Sequence, residues 1–478
     1  MTCAADTHGF KLLKEALGDS VCCDASVRYQ ASMDNLRLSV LPQAVIYPRS
    51  EAEVGVVLKL ANESDVPVTT RGAGSAATGA TTPFEGGWVL DLSRWTQCSI
   101  DPVSGMAMVQ PGVITGDLQR AAESQGWFYP PDPSSAQYST IGGNVATNAG
   151  GLRAAKYGVT RDYVLGLEGF LPTGEFVQWG GPLKKFASGL NMRDLWIGSE
   201  GMLGVITKIV LRLVPKPQER TTFLAAFPDE ISGLNAVRSL LEQRLVPAAL
   251  EFMDRQTVAC TERYSGFSPF SEAPGHVLLL VELDGHPSVL KEEREVVFCW
   301  AKERAVVFSE ATGAEAESLW RVRRACSQAM FTMGDTKLNE DVVVPLNNQQ
   351  ALLAHTLELH ETYGLATPTF GHAADGNFHV HIMFNRADGA QAKQAEGLLE
   401  ALMKKVVELG GAITGEHGIG LAKSTFLRIQ HSDSEVSAMQ SIKDSLDPRG
   451  ILNPGKMFTP VRTWAYPVEA VKMPWDHC

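Results

Sequence analysis

The sequence predicts an α+β chain of two or more domains, on three observations. Its 478 residues exceed what one hydrophobic core sustains. Up to Pro215, short strands run into loops rich in glycine and small polar residues. Past Pro215, strands alternate with helices, the pattern of an antiparallel sheet carrying helices on one side.

The composition is that of a globular chain, with 44% apolar and 20% charged residues. A net charge of −12, from 42 basic and 54 acidic residues, argues against a nucleic-acid partner and against an electrostatic grip on anionic lipid. The opening MTCAADTHGFKLLKEALGDS lacks the apolar core of a signal peptide. The longest apolar run, around Val277 to Leu283, is too short to span a bilayer. A cytoplasmic protein is therefore expected, at most peripheral at the inner face of the membrane. The eight cysteines, Cys3, Cys22, Cys23, Cys98, Cys260, Cys299, Cys326 and Cys478, are too scattered for a zinc or iron–sulfur set and read as free, mostly buried thiols.

A short N-terminal helix comes first. SEAEVGVVLKLANES then opens with Ser50 as an N-cap and an acidic turn, and Val54, Leu58 and Ala61 form its apolar stripe. VPVTT reads as a strand, followed by Arg71 and a loop with Gly72, Gly74 and Gly79. That loop lacks the Gly-Lys-Ser/Thr of a Walker A loop and the spacing of a dinucleotide fingerprint, yet small residues after a strand expose amides that can hold a pyrophosphate. From Pro130 to Gly174, Ser134, Ser135, Ser139, Thr140, Asn144 and Asn148 alternate with Gly142, Gly143, Gly150, Gly151 and Gly158. So many small and polar residues cannot pack a core unaided, which points to a bound cofactor. LWIGSEGMLGVITKIVLRLVP repeats the theme with Gly198, Gly201 and Gly204 ahead of a β-branched strand. In the second half, TTFLAAFPD, HVLLLVELDG, AVVFSEAT and PTFGHAADGNFHVHIMF read as strands, with helices near 230–245, 287–303, 313–333, 347–363 and 388–409.

The chemistry concentrates in GHAADGNFHVH, Gly371 to His381, which holds three of the eleven histidines. Alternation from Phe378 to Phe384 puts His379, His381 and Met383 on one face. A turn at Asp375, Gly376 and Asn377 brings His372 back toward His379. Two imidazoles and one carboxylate form a common divalent-metal set with positions left for substrate. GEHGIG, Gly415 to Gly420, supplies Glu416 and His417 among glycines, and His381 is an alternative third ligand. Taken singly, a strand histidine is most often a hydrogen-bonded side chain and a glycine-rich segment a plain turn.

Six motifs in order, RGAGSAATGA, IGGNVATNAGG, GSEGMLGVIT, GHAADGNFH, GEHGIG and DPRGILNPGKMF, resemble those of the FAD-linked 2-hydroxy-acid dehydrogenases, of the vanillyl-alcohol-oxidase type, from about Pro42 to Pro460. The resemblance implies an FAD-binding domain at 1–215, a substrate-binding α+β cap with an antiparallel sheet at 216–440, and a segment 441–478 returning to the FAD domain. It implies that FAD is held by Arg71, Gly72, Ala73, Gly74, Ser75, Gly79, Pro131, Ser135, Thr140, Gly142, Gly143, Asn144, Asn148, Gly150, Gly158, Glu200, Gly201, Gly204, Ile206 and Asn453. Ser75 stands where relatives with tethered flavin carry His, which implies noncovalent FAD, and His381 stands where several relatives have a substrate-touching Asn. Asn453 to Lys456 would form a turn closing over the isoalloxazine side.

The implied reaction oxidises a D-2-hydroxy acid, such as D-lactate or glycolate, to the 2-oxo acid. His372, His379 and Glu416 would hold a divalent metal, Zn²⁺ or alternatively Mn²⁺ or Fe²⁺, that acidifies the hydroxyl. His417 would be the base, Arg323 the carboxylate fork, and Lys337 a second cation. Electrons would pass to a quinone, a cytochrome, an electron-transfer flavoprotein or a separate iron–sulfur subunit, with a homodimer or an oxidase complex both open. The competing readings are a non-catalytic flavin or electron-transfer subunit and a flavin-dependent ether-lipid transferase.

Overall fold

The computed structural model describes residues 7–270 and 275–467. Two compact units result. Within the described residues one comprises 7–149, 159–216 and 416–467, and the other 150–158, 217–270 and 275–415.

The first unit contains a four-stranded sheet in which Val68–Arg71 and Ala44–Ile46 flank Trp88–Asp91 in parallel, with Val21–Cys22 antiparallel at the edge. Ser50 caps the helix Glu51–Glu63 by accepting the Glu53 amide. The expected stripe of Val54, Leu58 and Ala61, joined by Val57, is fully buried among Val68, Trp88 and Leu90. Each valine or leucine of the stripe contributes about 1.5–3 kcal/mol by leaving water. A second, five-stranded sheet is antiparallel and centres on the β-branched strand Val205–Arg212.

The second unit is built on a seven-stranded antiparallel sheet. Its order is Val307–Ala311, Glu219–Phe227, Val277–Gly285, Ala249–Met253, Thr369–His372, Asn377–Phe384, Thr336–Val343. The predicted helices occur at Glu230–Leu241, Pro287–Arg304, Gly313–Ala329, Gln349–Tyr363 and Gly389–Glu408. They do not lie on one side as expected. Leu224, Ala226, Leu278, Leu280 and Met253 pack with Val258 of the helix Arg255–Ser265 and with Leu319 and Trp320 of Gly313–Ala329. On the opposite parity, Phe227 meets Trp300, and Gly233 sits against Val277 and Phe252. Both faces are covered, which explains why these strands read as unbroken apolar runs.

Two strands escape the sequence pattern. Ala249–Met253 is buried throughout and therefore does not alternate. Thr336–Val343 carries Lys337, Asn339, Glu340 and Asp341, and these charges mask its period.

The segment boundaries also move. Residues 416–440, expected with the cap, belong to the first unit: Glu200 accepts the Ile419 and Gly420 amides, and Thr78 O accepts those of Leu421 and Ala422. Residues 150–158 belong to the second unit, where Lys156 and Tyr157 both donate to Asp284. The six described cysteines are free, but only Cys260 and Cys326 are buried, against the expectation of mostly buried thiols. Cys3 and Cys478 lie outside the described residues. Among those residues no helix is long and apolar enough to cross a membrane.

Candidate active site

Strand register assembles a polar face on the second unit's sheet. Phe370 pairs with His379 and His372 with Asn377, while Glu251 stands opposite His372, Asp341 opposite His379 and Asn339 opposite His381. Paired residues share a face, so these side chains project together. The expected turn after His372 forms at Ala373 to Gly376, and Gly376 has φ +86° with Val344 O 2.1 Å from where a Cβ would stand, which requires glycine. The rings of His372 and His379 come out perpendicular, 5.3 Å between centroids.

A buried carboxylate that the sequence reading overlooked delivers the third group. Asp341 Oδ1 accepts Asn377 Nδ2 at 2.7 Å, while its Oδ2 accepts Thr414 Oγ1 at 3.0 Å and the Gly415 amide at 2.9 Å. Glu416 is the next residue along the chain. One ligand atom from each of His372, His379 and Glu416 lies within 4.8 Å of the other two. Two imidazole nitrogens and a carboxylate oxygen at that spacing fit a divalent cation such as Zn²⁺. His417 Nε2 lies 3.9 Å from Glu416 Oε1. His381 is not in this group. It is fully buried, stacks on Phe370, and pairs Nδ1 with the His379 carbonyl at 3.1 Å. Burial, with Lys337 and His379 nearby, holds its pKa well below the usual value.

Arg323 departs from the role of an uncommitted carboxylate fork. Its Nε and Nη2 donate to Glu251 Oε2 at 2.7 and 2.6 Å, and its guanidinium lies over Phe370. A substrate carboxylate could use only Nη1 and the remaining Nη2 hydrogen. Lys337 Nζ donates to Ser327 Oγ and O at 2.7 and 3.0 Å. Glu251 was also missed. Burial raises its carboxyl, but His372 and Arg323 more than offset this and hold it below the ordinary carboxylate range. The available signal was a lone Glu inside the apolar run VPAALEFMD.

The glycine loops of the first unit pack on one another. A Cβ on Gly72 would stand 2.3 Å from Thr140 Oγ1, and one on Gly142 would stand 2.5 Å from Pro111. Gly72, Ala73, Ser75, Gly142 and Gly143 keep accessible surface while Gly74, Thr140 and Asn144 are buried. Parts of both loops thus stay exposed to a phosphate-bearing cofactor. Several residues expected to contact the cofactor carry internal hydrogen bonds. Arg71 donates to Met33 O, Gln30 O and Thr81 Oγ1, and Asn453 donates to Ala80 O and Glu200 O. Glu200 caps the two amides named above, and Gly204 makes room for the Trp196 ring. These side chains shape the loops. Asn148 Oδ1 accepts the Arg161 amide, Pro131 O accepts Gln119 Nε2, Ser135 O accepts the Ser139 amide, and Ile206 pairs with Gly169. Gly79 borders Leu421, Gly201 borders Asn453, and Gly150 and Gly158 fall in the segment that packs with the second unit. Gly74 has φ +71°, with the Arg71 guanidinium 2.0 Å from where its Cβ would be. Gly74→Ala should thus weaken FAD binding by tenfold or more, at about 1.4 kcal/mol per decade, measured as flavin absorbance per chain after dialysis.

Comparison with known proteins shows the family. Residues 42–180 match an FAD binding domain, and residues 216–457 match the C-terminal domain of FAD linked oxidases. The chain is 38% identical over 438 residues to glycolate oxidase subunit GlcD of Bacillus subtilis, covering 91% of each. It is 36% identical to a D-lactate dehydrogenase of Anaerostipes hadrus, over 87% of this chain and 89% of that one. In fold it is similar to 4-ethylphenol oxidase from Gulosibacter chungangensis, with TM-score 0.77 and 18% identity over 96% of this chain and 99% of that one. The chain therefore belongs to the FAD-linked oxidases, as an FAD-dependent oxidoreductase whose relatives include proteins named glycolate oxidase subunit and D-lactate dehydrogenase.

Proposed function

We propose that this chain oxidises a D-2-hydroxy acid, D-lactate and glycolate being the first candidates, to the 2-oxo acid, and passes the electrons to an acceptor other than NAD. The observation that carries the reading is the convergence of His372, His379 and Glu416 in a chain with an FAD-binding domain. The names of its relatives support the substrate class.

The glycine loops around Gly72 and Gly142 would hold FAD noncovalently, and His372, His379 and Glu416 would hold Zn²⁺, Mn²⁺ or Fe²⁺. Bound FAD supplies the hydride acceptor and the metal a Lewis acid. His417 takes the hydroxyl proton on a ring nitrogen as C2 gives up its hydride and the carbonyl forms. Arg323, through its outer edge, and Lys337 attract the carboxylate and orient C2. A quinone, a cytochrome, an electron-transfer flavoprotein or an iron–sulfur subunit would receive the electrons. In this assignment the first unit is the flavin domain and the second the substrate domain.

Anaerobic mixing with D- and L-2-hydroxy acids tests the reading. D-Lactate or glycolate should bleach the flavin absorbance and L-lactate should not. Intact flavin with every acid in the panel would leave a flavin-holding subunit without chemistry of its own. Acid precipitation should carry the flavin into the supernatant, since Ser75 offers no ring nitrogen for a tether; a yellow pellet would contradict this.

A further inference from the structure

The second unit contains a buried carboxylate that no step above uses. Glu251 has no exposed surface and sits in the middle of Ala249–Met253. Its Oε1 is 2.6 Å from His372 Nδ1, and its Oε2 takes both Nε and Nη2 of Arg323. Every partner of this carboxylate is a donor. An ionised carboxylate cannot donate, so the His372 proton resides on Nδ1 and the lone pair on Nε2.

We propose that Glu251 is the positioning residue of the metal site: it fixes the His372 tautomer and ring so that Nε2 faces the cation, and it ties that ligand to Arg323. This rests on the metal reading above, and it goes further by assigning a role to a residue that touches neither metal nor substrate. Carboxylate partners of metal-bound imidazoles commonly contribute 10–100-fold in affinity, roughly the effect expected here.

A glutamine at this position cannot serve both neighbours, because it offers one acceptor and one donor where two acceptors are needed. If its oxygen stays on Arg323, its amide N–H faces His372 Nδ1. The ring proton then moves to Nε2 and blocks ligation. Removing the arginine as well frees the amide oxygen to turn to His372.

The decisive comparison is therefore between two charge-neutral double variants of the full FAD-loaded chain, Glu251→Gln/Arg323→Met and Glu251→Leu/Arg323→Met. Only the first offers His372 an acceptor. Zn²⁺ affinity is read by competition with a fluorescent chelator, and Co²⁺ absorption reports ligand geometry. Flavin content and melting serve as fold controls, and the single variant Glu251→Gln and His379→Ala run alongside. The proposal expects tenfold or more between the doubles, a Co²⁺ spectrum near wild type for the Gln double alone, and weak binding by Glu251→Gln. Equal affinities in two folded doubles would overturn it. If the Leu double does not fold, Glu251→Gln against the Gln double decides in the same way, and equal affinity there overturns it. Equal Zn²⁺ affinity of wild type and His379→Ala is a separate outcome, which removes the metal reading itself.

Discussion

His417→Ala should slow flavin reduction by about 10²–10⁴-fold, the usual worth of a general base, while bound metal stays near the wild-type level. The separation follows from the geometry. The convergent ligand atoms belong to His372, His379 and Glu416, and His417 adjoins them through Glu416 without being one of them. His379→Ala should behave differently, losing metal and activity together, with added Zn²⁺ or Mn²⁺ restoring only part of the rate. Metal analysis paired with single-turnover reduction by substrate distinguishes the two. A His417→Ala protein that lost its metal would make His417 a ligand and leave the base unassigned. His381→Ala is the control, because its Nδ1 is spent on a backbone carbonyl and its ring packs on Phe370. Metal lost there and kept in Glu416→Gln would overturn the ligand set.

Arg323→Met should destabilise the second unit by about 3–5 kcal/mol, because it strands Glu251 as a buried anion with His372 alone as its neutralising partner. It should also raise KM for the hydroxy acid, since the cation proposed to orient the substrate carboxylate is gone. Urea unfolding and steady-state kinetics read the two effects separately. The pH dependence has a definite sign. Glu251 is held below its ordinary value in the folded protein, so the pair's contribution is fully present above the ordinary glutamate pKa of about 4.3 and is lost as the pH falls through the lower folded value. The gap between wild type and variant should narrow on acidification. A gap unchanged by acid would mean that the ion pair is not its source.

The motifs were local enough to read directly from the chain. Ser50 as a cap, the stripe of Val54, Leu58 and Ala61, and the hairpin between His372 and His379 all follow from spacing within a few residues, where backbone geometry alone sets which side chains meet. Distant partners were not legible in this way. Glu251 meets His372 because Ala249–Met253 pairs with Thr369–His372, and Arg323 reaches the same carboxylate from a helix 72 residues on. Arg71, Glu200 and Asn453 are cofactor contacts that the family resemblance implies. Their side chains also satisfy buried carbonyls and amides supplied by loops far away in sequence, which the resemblance does not show. A chain's polar residues are visible one by one in its sequence, but a buried polar group must find a partner, and only the folded sheet register and loop packing decide which one.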